Sequence, residues 1–100
     1  MGAPNLGLSS DEILLNDQKA KKLGLMIGVP GQLYFMSISR ISVVYIDFIK
    51  GDWNRWLAWR ETHYIGEYES SSVKVIANGS SFEYVLEKTK KYLSYVKRNK

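Results

Sequence analysis

The stretch HYIGEYESSSVKVIANGSSFEYVLEKTKKYLSYV, His63 to Val96, decides how the chain is read. It predicts strand, turn, strand, tight turn and long amphipathic helix. Phe82, Val85, Leu86, Thr89, Leu93 and Val96 recur at helical spacing and form one stripe. Ser80 precedes Glu83 by three residues, the spacing of a capping box. Glu83 and Glu87 lie early, Lys97 and Arg98 late, as the helix dipole favours. Before the helix, the first strand lies around Tyr64, Ile65 and Tyr68, and the second at Val73, Val75 and Ile76. Ser70-Ser71-Ser72 serves as the hairpin loop, and Asn78-Gly79 turns the chain into the helix. A hairpin alone is marginal in water, so hairpin and helix are expected to bury each other's apolar faces.

One hundred residues allow one domain with a single modest core. Within it, 63–97 is the best-specified unit, and 1–35 is expected to pack loosely. A hydrophobic content of 45% argues against wholesale disorder. No cysteine is present, which excludes disulfides, thiol nucleophiles and cysteine-ligated zinc, and fits a cytoplasmic protein. The N-terminal MGAPNLGLSS lacks the features of a signal peptide, and Leu6 stands where a myristoylation signal has Ser or Thr. The apolar run Leu33–Ile49 is interrupted by Arg40 and Asp47, so no membrane contact is expected.

Ser9 and Glu12 have capping-box spacing for a helix ending at Leu23, with Gly24 as its stop. Leu25-Met26-Ile27 is a short strand candidate, and Val29-Pro30-Gly31-Gln32 has the residues of a type II turn. The glycines at 24, 28 and 31 match neither a dinucleotide fingerprint nor a phosphate loop. Leu33–Ile49 reads as one bent strand or two strands broken near Ser39-Arg40. Apolar residues on both of its faces predict a central place in the sheet. Asp52 then caps a helix from Trp53 to about Thr62, with Trp53, Trp56 and Leu57 facing the core and Trp59 at its margin. The expected fold class is therefore α+β: a small mixed or antiparallel sheet, about three helices packed on it, and a C-terminal β-hairpin followed by the long helix.

The residues 64–68 (Tyr-Ile-Gly-Glu-Tyr), 73–79 (Val-Lys-Val-Ile-Ala-Asn-Gly) and 82–91 (Phe-Glu-Tyr-Val-Leu-Glu-Lys-Thr-Lys-Lys) resemble a small archaeal family of uncharacterised domains. The resemblance covers roughly the last 40 residues. It implies the hairpin and helix, and it carries over no catalytic residue. Separately, Gly2-Ala3-Pro4-Asn5-Leu6 followed by Ala20-Lys-Lys-Leu-Gly-Leu25 resembles the stretch after the catalytic aspartate of retropepsin-like proteases. That family requires Asp-Thr/Ser-Gly-Ala. Here Met1 stands at the Thr/Ser position with no aspartate before it, so the resemblance implies a remnant without protease activity.

No catalytic residue, metal ligand set or cofactor is expected. His63 is the only histidine, and it reads as a structural or surface residue. Glu67 and Glu69 share a strand face and read as edge charges. The sequence points instead to a non-enzymatic module that binds a protein partner or a second copy, as a homodimer, through Trp56 and Trp59 of the Trp-rich segment or through an edge strand. The alternative is nucleic-acid binding. Residues 82–100 hold six basic and two acidic side chains, which accounts for the whole net charge of +4. Lys90, Lys91, Lys97 and Arg98 would meet phosphates while Tyr92 and Tyr95 stack on bases. The same cations also suit a solvated helix end that complements its own dipole.

Overall fold

The computed structural model describes residues 8–51, 55–66 and 70–98. Helix α1 spans Ser10–Leu23, strands β1 to β5 span Met26–Val29, Leu33–Ser37, Ser42–Ile49, Arg55–Tyr64 and Ser70–Gly79, and helix α2 spans Phe82–Arg98. The strands form one sheet in chain order, each antiparallel to the next. Short connections explain this order, because antiparallel neighbours need only a turn between them.

Local chemistry sets the first half. Ser9 Oγ accepts from the Glu12 N–H, and Glu12 Oε1 accepts from the Ser9 N–H, both at 3.1 Å. Gly24 ends α1 in the left-handed region at φ 105° and donates to the carbonyls of Ala20 and Lys21. Gly31 has φ 71°, the i+2 conformation of a type II turn, and Gln32 N donates to Val29 O at 2.9 Å. Asp17 Oδ1 accepts from Gly31 N at 2.9 Å and from the Tyr34 hydroxyl at 2.6 Å, fastening α1 to this turn and to β2. Burial, reinforced by the bond to Asp17, pushes the Tyr34 phenol well above its ordinary range, so it stays a donor at any physiological pH. Ala20 and Leu25 are buried, so the region around them is part of the core.

Both helices lie on one face of the sheet. Tyr34, Ile46, Phe48, Trp56, Ala58 and Ala77 point toward them and meet Ala20, Phe82 and Val85. Trp56 sits among aromatic rings, 5.1 Å from Phe48 and 4.8 Å from Phe82, both edge-on. Central β3 alternates strictly, with Ser42, Val44, Ile46 and Phe48 buried and the residues between them half-buried.

Three expectations need correction. Among the described residues there are two helices, not three. The expected helix from Trp53 to Thr62 is instead β4, paired along its length with β3 and β5. The tryptophan spacing imitates a helix, whereas Trp56, Ala58, Arg60 and Thr62 alternate with Leu57, Trp59, Glu61 and His63. A charged residue on the inner face disguises that alternation. Arg60 is tolerated there because its Nε and Nη2 donate to Ser42 Oγ at 3.2 and 3.1 Å and its Nη1 to Tyr92 OH at 2.9 Å. Ser42 and Thr62 hydroxyls share a further bond of 2.8 Å.

The expected C-terminal hairpin is also wrong. Ser70, Ser71 and Ser72 are not its loop but the first residues of β5, opposite Tyr64, His63 and Thr62. The strand that pairs with β5 runs Arg55–Tyr64. A bulge at Ile76 then turns this side chain toward the core, while Val75 faces away opposite Trp59. Finally, the cap of α2 is Ser81 rather than Ser80: Ser81 Oγ accepts from Tyr84 N at 3.3 Å. Asp52, Trp53, Glu67, Tyr68, Glu69 and residues 2–6 lie outside the described residues.

Candidate functional site: the open face of the sheet

With both helices on one side, the other side of the sheet has no helix over it among the described residues. Register places five side chains in one row across all five strands there: Met26, Phe35, Tyr45, Trp59 and Val75. Phe35 and Tyr45 rings are 6.5 Å apart, and Tyr45 stacks on Trp59 at 5.1 Å and 20°. Met26 is 60% exposed and Val75 57%. The row thus ends on unprotected apolar side chains at both sheet edges.

Two further rows flank it. On one side lie Leu33, Asp47, Leu57 and Asn78; on the other Ser37, Val43, Glu61 and Val73. Asp47 is flanked by two leucines, and desolvation raises its carboxyl above the ordinary range although the Phe48 N–H partly offsets this. Glu61 accepts from Trp59 Nε1 at 3.2 Å and holds His63 Nε2 at 3.4 Å, which fixes the indole within the row. Exposed apolar side chains grouped in this way, with Met26, Val73 and Val75 more than half exposed, mark an interaction surface.

The two tryptophans proposed from sequence part company. Trp59 is on this face. Trp56 is 3% exposed in the core, so it contacts no partner. Residues three apart share a helix face but take opposite faces of a strand. Phe35, Tyr45 and Val75 were missed because they belong to different strands, and only strand pairing puts them in line.

The six residues proposed for nucleic acid are also divided. Lys90 and Lys97 border a groove beside Leu23. Tyr92 turns the other way, receiving the Arg60 bond with Lys74 Nζ 5.5 Å above its ring, and Tyr95 lies 6.5 Å from it. Lys91 and Arg98, seven residues apart, are exposed. The six are thus spread around α2 rather than gathered on one face. Among the described residues no three His, Asp or Glu side chains gather as a metal site, and no helix is long and apolar enough to cross a membrane.

The class defined here is a five-stranded antiparallel meander backed by helices on one face and open on the other. The uncharacterised protein YddA of Bacillus subtilis (strain 168) is 29% identical to the chain over 86 residues, covering 84% of each. The relative is bacterial rather than archaeal, and nothing in these matches supports a retropepsin-like segment. No family model matches the chain, and no solved structure matches it.

Proposed function

We propose that this protein is a non-enzymatic self-association module, and that a second copy of the chain covers the open sheet face. The observation that carries the reading is the row Met26–Phe35–Tyr45–Trp59–Val75. Its middle member sits on the middle strand. A two-fold axis running along β3 therefore lays Phe35 over Trp59, Met26 over Val75 and Tyr45 over its own copy, as an isologous interface requires. The same axis sets Leu33 over Leu57 and Ser37 near Glu61, so neither carboxylate of the Glu61 pair meets the other.

Size agrees. Five strands of 4, 5, 8, 10 and 10 residues, at about 3.4 Å per residue and about 4.8 Å apart, give a face of roughly 600 Å², the lower end of what each partner contributes to standard interfaces. Stacked sheets pack about 10 Å apart, which lets the aromatic rings interdigitate. Base stacking on the same row is disfavoured, because Asp47 and Glu61 flank it on both sides where phosphates would run.

Light scattering on a sizing column tests this. A salt-insensitive dimer is expected for the unmodified protein, and a monomer for Trp59→Lys and for Val75→Lys. A monomeric unmodified protein at high concentration overturns the reading. So does a complex with mixed single-stranded nucleic acid that dissolves as salt rises, which would move the function to the cations of α2.

A further inference from the structure

On the helical side, away from the sheet face, a groove runs between α1 and α2. It arises because α1 leans on β1 while α2 lies over β4 and β5, leaving the end of β2 uncovered between them. The groove has two parts that share Leu23 and Lys90. One is an apolar trough of about 410 Å³ with Leu23, Met36, Ile38, Leu93 and Val96 as its floor. The other is the more polar part, where Lys19, Lys22, Lys90 and Glu87 surround Leu23 and Leu86. The trough lies within the ~300–1,000 Å³ typical of small-ligand sites.

The charges in this groove are unbalanced. Lys19 is engaged by Glu83 at 2.6 Å. Lys22 and Lys90 border the polar part with Glu87 as its one acid, and no acidic side chain lines the apolar part, where Lys97 stands at the edge. Polarity therefore changes along the groove, cationic at one end and apolar at the other. An amphipathic helix presents apolar anchors along its whole length, at i, i+3, i+4 and i+7, whereas the more polar part offers only Leu23 and Leu86 among its charges. A molecule with one anionic head and one hydrocarbon tail matches both parts.

We infer that this groove binds a single-chain fatty acid, its carboxylate between Lys22 and Lys90 and its tail on Leu23, Met36, Ile38, Leu93 and Val96. The aliphatic stem of Lys97 lies along the tail while its ammonium stays in water. The head adds charge-assisted hydrogen bonds and the tail adds apolar burial, so the two contributions separate experimentally.

Calorimetric titration with dodecanoate below its micelle concentration, and with dodecanol, makes that separation. Dodecanoate is expected to bind once per chain. The double variant Lys22→Gln/Lys90→Gln changes two exposed side chains and should leave the melting curve in place. It is expected to weaken dodecanoate roughly tenfold and dodecanol hardly at all. Trp59→Lys, on the opposite face, should bind dodecanoate as the unmodified protein does. Three results overturn the inference: no saturable dodecanoate binding, equal loss of both ligands in the double variant, or loss of dodecanoate in Trp59→Lys. Binding confined to vesicles of anionic phospholipid would also overturn it and point to a membrane surface instead.

Discussion

Asp47 is the residue most out of keeping with its surroundings. It lies on the central strand between Leu33 and Leu57, and desolvation raises its carboxyl. A raised carboxyl means that the folded chain holds its proton more tightly than the unfolded chain. Stability from this group is therefore fullest at acidic pH and declines as pH rises through the folded value. In the proposed dimer two Asp47 side chains approach across the axis, so the neutral form favours association for the same reason. Asp47→Asn is expected to tighten the dimer at neutral pH, and the unmodified protein to approach that affinity as the medium is acidified. Sedimentation equilibrium at two pH values measures both. The tryptophans make a second pair of expectations. Trp56→Ala removes a buried ring and should lower unfolding free energy by about 3–5 kcal/mol in denaturant titration. Trp59→Ala should cost much less in the monomer and act chiefly on association. Helical spacing set Trp56 toward the core and Trp59 only at its margin, whereas the strand puts them on opposite faces, because three positions along a strand reverse the side.

At the level of elements, α1 was legible from its capping box and glycine stop, and α2 from its apolar stripe and the charges at its ends. The exchange of Ser80 for Ser81 as the α2 cap is a one-residue shift of the kind expected at helix ends. It has a direct check in thermal or chemical unfolding. Ser81→Ala should cost about 1 kcal/mol, whereas Ser80→Ala should stay within ~0.5 kcal/mol. Strand β4 was not legible. Its Trp and Leu positions fit a helical period, and its inward arginine breaks the alternation that marks a strand. What makes Arg60 acceptable is non-local: Ser42 comes from β3 and Tyr92 from α2. The turn after Val29 was legible, since a positive φ at Gly31 follows from Pro-Gly in a type II turn. Its anchoring by Asp17, fourteen residues earlier, was not. Asp17→Ala should destabilise by roughly 1–3 kcal/mol, because it strips the buried Tyr34 hydroxyl and the Gly31 N–H of one acceptor together.

For the whole molecule, stability should be graded across the sheet. Strand β3 has partners on both sides and a buried inner face, whereas β1 is a four-residue edge strand. Native-state hydrogen exchange is expected to show the slowest amides in β3 and β4 and earlier opening in β1. Placing both helices on one side also separates two surfaces. The apolar sheet face suits another copy, and the groove between the helices suits an amphiphile. Neither surface is contiguous in the chain.

Local signals along the chain were enough to establish that it mixes helix and strand, where α1 and α2 lie, that the run from Leu33 holds a central strand, and that the basic residues concentrate toward the C-terminus. These are local properties, set by period, capping geometry and composition within one segment. That β4 is a strand, that Trp56 and Trp59 face opposite ways, and that Met26, Phe35, Tyr45, Trp59 and Val75 form one row came from contacts between distant segments. Strand pairing draws hydrogen bonds and side-chain neighbours from distant segments, and which face a residue shows depends on register with a strand elsewhere in the chain.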